Sequence, residues 1–126
     1  MQDQKNNKRA FDLEDRTTQF AIEVVRLCRK LPRDPINNRL TGQAVGSAGS
    51  IGANYREAND ALGEKDFILR LKISRRESKE TIHWLILIRE ANPDFSKEVE
   101  ILIKEVLELK NILSAIIDKV INNDKR

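Results

Sequence analysis

The sequence predicts an all-α protein, folded as an antiparallel up-down-up-down four-helix bundle. Apolar residues recur at intervals of three and four positions through four long segments, as on the buried face of an amphipathic helix. No segment alternates apolar and polar residues with the period of two that a half-buried strand requires. Proline or glycine separates the four segments, and the connections are short, so consecutive helices are expected to run antiparallel.

Composition limits both the organisation and the class of protein. The 126 residues suit one domain, and we expect a disordered N-terminal tail at 1–10, the bundle at 11–121 and a C-terminal tail at 122–126. The net charge of +3 permits an anionic partner without requiring one. A single cysteine excludes an internal disulfide and favours a cytoplasmic protein. No apolar run approaches the ~20 residues that span a bilayer, so no membrane partner is expected.

Each segment carries one predicted core face, and turn residues separate the segments. Pro32 ends the first helix, Asp34-Pro35 starts the second with a cap and a first-turn proline, and Asn92-Pro93 ends the third. The predicted core faces are Leu13, Thr17, Phe20, Val24, Leu27 and Leu31 in the first helix; Leu40, Ala44, Ser47, Ile51, Tyr55, Ala58 and Leu62 in the second; Phe67, Leu71, Ser74, Ser78, Thr81, Leu85 and Ile88 in the third; and Val99, Leu102, Val106, Leu109, Leu113, Ile116 and Val120 in the fourth.

The second helix holds four of the five glycines of the chain. At about 100° per residue, a nearly bare stripe falls almost opposite the predicted core face. This glycine stripe consists of Gly42, Gly46, Gly49 and Ala53. A phosphate-binding loop would need Gly-Lys-Ser/Thr, whereas Gly52 is followed by Ala53-Asn54-Tyr55. Interior glycines each cost a helix about 1 kcal/mol relative to alanine, so the stripe favours a close subunit contact over an idle solvent face.

The third helix carries a second surface with the same implication. Four residues share a side outside its predicted core face: Leu69, Ile73, Trp84 and Leu87. A solvated helix face rarely holds a tryptophan together with three aliphatic side chains. These residues either cover the edge of their own bundle or join the glycine stripe in an oligomer interface, and we favour the interface.

No catalytic, metal-binding or cofactor-binding residues are predicted. One histidine, His83, and one cysteine, Cys28, cannot supply a zinc site. Glu80-x-x-His83 matches half of a di-iron motif, but the chain has no second histidine to complete it. Cys28 lies beside the apolar face of the first helix with no inward histidine to activate it. We therefore expect a protein that is not an enzyme and that carries no metal or cofactor.

Basic residues cluster in two places where we expect contacts with nucleic-acid phosphates. Residues 65–79 hold six basic residues against two acidic ones, and residues 26–39 hold five against one. The candidates are Lys65, Lys72, Arg75, Arg76 and Lys79 in the third helix, and Arg26, Arg29, Lys30 and Arg33 at the end of the first. A basic stripe suits a phosphate backbone, and its alternative is a solvated face. The two clusters lie at opposite ends of an antiparallel bundle, and a ring of subunits would bring them together.

The stretch SAGSIGANYREAN, followed by KDFILRLKISRRESKETIHWL, resembles the four-helix-bundle proteins encoded in intervening sequences of bacterial 23S ribosomal RNA genes. DLEDRT near the start and LKNILSAII near the end match as well, so the resemblance extends from about Phe11 to Val120. It implies a bacterial cytosolic protein whose protomers form a ring-like homopentamer. The chain is also similar to the accessory variability determinant of diversity-generating retroelements, which binds a reverse transcriptase and nucleic acid.

One segment departs from the pattern of the family. Where family members usually carry a serine with basic neighbours before the third helix, this chain has Ala61-Leu62-Gly63-Glu64, which makes that corner less basic. Neither related group brings catalytic residues with it. We predict a non-enzymatic, oligomeric RNA-binding or ribonucleoprotein accessory protein. The alternative is a scaffold that docks a polymerase or another protein, through the acidic fourth helix or the apolar side of the third, without touching nucleic acid.

Overall fold

The computed structural model describes the backbone of residues 2–124 and the side chains of residues 13–123. Its helices are α1 (Gln2–Lys30), α2 (Pro35–Asn59), α3 (Glu64–Ala91) and α4 (Ser96–Asp124), with a 3₁₀ turn at Pro93–Phe95. Each helix packs against the next along the chain, and α1 also contacts α4, which closes the bundle. The predicted all-α four-helix bundle is confirmed, and residues 2–124 include no strand. The predicted tail boundaries stay predictions, and residues 1, 125 and 126 lie outside the described part.

The buried side-chain amides of Asn37 and Asn92 are hydrogen-bonded to each other at one end of the bundle. Asn37 and Asn92 exchange two side-chain hydrogen bonds, of 2.9 and 2.8 Å, and both residues are buried. The Asn37 amide also donates to the carbonyl of Pro32 at 2.8 Å, and the Asn92 amide donates to the carbonyl of Ile88 at 2.9 Å. Asp34 caps α2, since its Oδ1 accepts a hydrogen bond from the backbone N–H of Asn37 at 2.8 Å. The pair therefore ties the α1–α2 connection to the end of α3.

The core follows the predicted faces with two exceptions. Every other residue of the four predicted faces is buried or half-buried. Leu62 is fully exposed because α2 ends at Asn59, so Leu62 lies in the connection to α3, where helical spacing does not apply. On α4 the residue that faces the core is Ile117, at 1% exposure, whereas Ile116 is half-buried. Both positions continue the spacing from Leu113, so periodicity alone does not choose between them.

Small polar side chains line the contact between α2 and α3. The Ser74 hydroxyl donates to the backbone carbonyl of Ile51 at 2.7 Å, and the Thr81 hydroxyl donates to Ser47 Oγ at 2.8 Å. All three hydroxyl residues are buried, and every buried side-chain nitrogen or oxygen in residues 13–123 has a hydrogen-bond partner. A direct bond from a serine side chain to the neighbouring backbone requires the two helices to lie close together.

Gly52 has a different environment from the glycine stripe. A Cβ atom at Gly52 would lie 2.9 Å from Thr17 Oγ1 and 3.3 Å from Thr17 Cβ, across the contact between α1 and α2. Thr17 is completely buried, and its hydroxyl donates to the carbonyl of Glu14 at 2.9 Å. Gly52 is thus a position of close approach between α2 and α1, and its missing side chain makes room for Thr17 inside the protomer.

Candidate nucleic-acid interface

The cations predicted on the third helix share one open surface, which we call the α3 basic face. It consists of Lys65, Lys72, Arg75, Arg76 and Lys79; Arg75 is half-buried and the other four are exposed. None of the five makes an ion pair within 4.0 Å in the described structure. Arg76 interacts electrostatically with its neighbour Glu77 without forming an ion pair of this kind. The five cations are therefore not neutralised by ion pairs within the described part of the protomer.

Acidic side chains of α4 form ion pairs with basic residues of α1 rather than with the α3 basic face. Arg16 holds Glu105 through two hydrogen bonds, Nε to Oε2 at 2.9 Å and Nη2 to Oε1 at 2.8 Å, and its Nη2 also lies 3.2 Å from Glu108. Hydrogen bonding to Glu105 is the main reason that the pKa of Arg16 is raised. Lys30 pairs with Glu98 at 3.4 Å. Three of the acidic residues of α4 are therefore engaged within the protomer.

The structure divides the second predicted cluster into two pairs. Arg29 and Arg33 line a groove of about 420 Å³ between α1 and α2. Arg26 and Lys30 line a smaller groove between α1 and α4, where Lys30 is bound to Glu98. Spacing along the sequence did not reveal this division, because the division depends on which neighbouring helix each side chain contacts. The four residues do not form a single surface comparable with the α3 basic face.

The glycine stripe is open along its whole length. Gly42, Gly46, Gly49 and Ala53 are all exposed. A Cβ atom at any of the three glycines would meet no heavy atom within 4 Å, so packing within the protomer does not require glycine there. Gly42 also lines the groove that contains Arg29 and Arg33, beside the exposed side chains of Val25 and Val45.

The four apolar residues predicted on the outer side of α3 differ in their exposure. Leu69 is 54% exposed and Leu87 is 37% exposed, whereas Ile73 and Trp84 are half-buried. Trp84 packs against the core of its own bundle, and the His83 ring meets it edge-on with centroids 5.0 Å apart. Trp84 thus covers the edge of the bundle in part, as the alternative interpretation predicted, while Leu69 and Leu87 remain open.

Two shifted side chains lie near these surfaces. Burial raises the pKa of the half-buried Cys28 thiol to about 11, which disfavours the reactive thiolate. Burial, followed by repulsion from Glu80, raises the pKa of Glu77 on α3. No group of three or more potential metal ligands occurs among the described residues. In the same part of the chain, no helix combines the length and apolar composition that a membrane crossing requires.

Sequence reasoning missed two features of the structure. The Asn37–Asn92 pair was signalled only by the asparagines that stand near Pro35 and before Pro93. Arg16 and Lys30 form ion pairs with acidic residues of α4. These pairs depend on how α1 and α4 are rotated relative to each other, and sequence periodicity does not predict that rotation precisely enough to assign individual partners.

Fold and surface together define a small four-helix-bundle protein with a basic face on α3 that makes no ion pair among the described residues. The family model described as 23S rRNA-intervening sequence protein matches residues 9–115, and the chain belongs to this family, as its resemblance predicted. A similar solved structure, at 31% sequence identity, is the 1.70 Å crystal structure of a protein with unknown function from the S23 ribosomal protein family of Bacteroides thetaiotaomicron VPI-5482. The alignment covers 83% of this chain and 97% of that chain, with a TM-score of 0.73. No curated protein matches the chain.

Proposed function

We propose that this chain is a non-enzymatic RNA-binding accessory protein of the bacterial cytoplasm, and that the α3 basic face holds RNA phosphates. The observation that carries the proposal is the exposure of this face without ion pairs in the described structure, while Glu98, Glu105 and Glu108 are paired elsewhere. The family description names an intervening sequence of 23S rRNA, so a structured RNA is the first anionic partner to test. Arg29 and Arg33 provide a secondary contact, and Lys30 and Arg26 contribute less because they share a groove with Glu98.

The number of cations sets the expected dependence on salt. Each neutralised phosphate contributes about −0.9 to the slope of log K against log salt for a duplex and about −0.7 for a single strand. Five contacts therefore give a slope of about −3.5 to −4.5. Between 50 and 200 mM salt, the affinity should fall by roughly 100- to 500-fold.

A gel-shift titration with a structured RNA tests the proposal. The variant with Lys72→Gln, Arg76→Gln and Lys79→Gln should reduce the magnitude of the salt slope by about 2 to 3. A matched control replaces Lys97, Lys104 and Lys119, which are exposed on α4, with glutamine, so that the net charge changes equally. The control should bind like the parent. Equal loss in both variants, or no binding of the parent at low salt, would contradict the proposal.

Assembly is the second part of the proposal. We propose that the glycine stripe of α2 forms contacts between protomers of a ring-like homopentamer. Three open glycines, each costing helix stability, support a role outside the protomer. Gly46→Leu adds a side chain into open space in the monomer but into the contact in the ring. Light scattering should show a smaller assembly for this variant, and an unchanged mass would count against the contact.

A protein-binding scaffold is the alternative function, and the exposed Leu69 and Leu87 favour it. Docking through the acidic residues of α4 is a weaker route, because Glu98, Glu105 and Glu108 already pair with α1. The similarity to retroelement accessory proteins, and with it a reverse transcriptase as partner, stays a prediction. Recovery of one protein from nuclease-treated lysate, lost in a Leu69→Ser, Leu87→Ser variant but kept in the triple glutamine variant of α3, would support the scaffold over RNA binding.

A further inference from the structure

We infer that the nucleic acid held by the α3 basic face is double-helical RNA, contacted through its phosphates rather than its bases. This inference rests on the proposed RNA-binding function and specifies the form of RNA. Three observations support this inference: the shape of the α3 basic face, the positions of the aromatic side chains and the positions of the grooves.

The face is a straight row of charge on the outside of one helix. Lys65 and Lys79 are separated by about 21 Å along α3, at ~1.5 Å per residue, and α3 continues without interruption from Glu64 to Ala91. One strand of duplex DNA presents a phosphate about every 3.4 Å along its axis, so a duplex of that spacing offers roughly six phosphates per strand over the length of the row. A duplex already holds these phosphates in order, whereas a single strand would have to be ordered by the protein at an entropic cost.

The aromatic side chains are not placed to stack on unpaired bases. Phe20 and Tyr55 are buried, and Phe67, Trp84 and Phe95 are half-buried, so residues 13–123 include no exposed phenylalanine, tyrosine or tryptophan. Trp84 packs against the core, about 140° around α3 from Lys79. His83 is exposed in line with the cations, but one ring does not make the series of stacking platforms that single-strand binding uses.

Three grooves of the described structure are lined by residues other than the five cations. One lies between α1 and α2, one between α1 and α4, and a third at the α2–α3 corner beside Leu62 and Val120. None of the five cations lines any of these grooves. Single-strand binders use a charged groove that follows the backbone, whereas α3 is convex. The major groove of A-form RNA is too deep and narrow for α3 to enter. The helix would therefore lie across the phosphates at the edges of the groove.

Competition between two RNAs tests this inference. The parent protein is titrated with an RNA duplex of about 20 base pairs, several times the ~6-phosphate row, and with a uridine-rich single strand of equal length. We expect the duplex to bind at least about tenfold tighter, with a salt slope near −4.5, and duplexes of different sequence to bind alike. His83→Ala should change duplex binding less than about threefold, because stacking contributes little.

The outcomes separate the two proposals. Equal or tighter binding of the single strand, or a loss of about tenfold or more with His83→Ala, would overturn the duplex inference while leaving RNA binding in place. Failure of both RNAs to bind at low salt would refute the proposed function itself. Tighter duplex binding that the triple glutamine variant of α3 abolishes and the matched α4 control retains would support both.

Discussion

Gly52→Ala should destabilise the protomer, whereas the chemically identical change Gly46→Ala should stabilise it. The added Cβ at position 52 would lie 2.9 Å from Thr17 Oγ1, and Thr17 has no exposed surface into which it can move. Overpacking of this kind typically costs about 1–3 kcal/mol. Alanine gains about 1 kcal/mol over glycine in a helix interior, so the net loss at position 52 is about 0–2 kcal/mol.

Gly46→Ala is the matched control because it provides the same gain in helix propensity in open space. The propensity terms cancel in the comparison of the two variants, so the difference in their unfolding free energies measures the overpacking cost, about 1–3 kcal/mol. Urea unfolding monitored by circular dichroism gives this difference directly. Each variant is measured at two protein concentrations, since a subunit contact at Gly46 would make its stability depend on concentration.

A second substitution at Thr17 tests whether the branched side chain at this position causes the loss. Thr17→Ala removes Oγ1 and should recover most of the loss caused by Gly52→Ala, whereas Thr17→Val keeps a branched side chain and should not. The coupling energy between positions 17 and 52 should therefore be about 1 kcal/mol or more. If Gly52→Ala is as stable as Gly46→Ala, α2 does not approach α1 at Gly52 as described.

Two further predictions concern the interior of the protomer. Asn92→Ala removes one half of the buried amide pair and leaves the buried Asn37 Oδ1 without its donor, so it should lower the free energy of unfolding in urea by about 2–3 kcal/mol. Asn38→Ala, at the exposed neighbouring position, should have little effect. The Cys28 pKa of about 11, raised from 9.0 by burial, predicts alkylation by iodoacetamide at pH 8 about 100-fold slower than in urea-unfolded protein. Because of the same shift, the native state binds more protons than the unfolded state between pH 9 and about 11. The stability that the protonated thiol contributes is therefore lost as the pH rises through this range. A Cys28→Ser variant should not show this loss of stability.

Helix periodicity was sufficient to predict the fold because each core face depends only on residues three and four positions apart. Leu13 through Leu31 on α1 illustrate this, since all six predicted positions are buried. The same rule failed at Leu62, where the helix had already ended, and at Ile116, where two adjacent isoleucines satisfied the spacing equally. Periodicity also cannot predict contacts between small residues in the interior. Gly52 and Gly46 look alike in the sequence, but Gly52 faces Thr17 of α1 whereas Gly46 faces open space.

The candidate surface was predicted less completely, because charge depends on partners as well as on position. Helical spacing alone placed Lys65, Lys72 and Lys79 together on the outside of α3, where the structure also has them. It did not show that Arg26 and Lys30 would share a groove with Glu98, away from Arg29 and Arg33. Such pairings require the relative rotation of two helices, which the residues of either helix alone do not determine.

The distribution of ion pairs also explains how a chain with a small net charge can present a strongly charged surface. The whole sequence has 23 basic and 20 acidic residues, a balance that by itself predicts little attraction for an anion. Glu98, Glu105 and Glu108 direct their charge toward Arg16 and Lys30, so part of the acidic complement is neutralised at the α1–α4 contact. Because screening limits exposed charges to a range of about 8 Å at physiological salt, a nearby phosphate responds to the cations of α3 rather than to the net charge of the protomer. Binding should therefore change with the position of a removed lysine, and the comparison between the α3 and α4 glutamine variants measures that dependence.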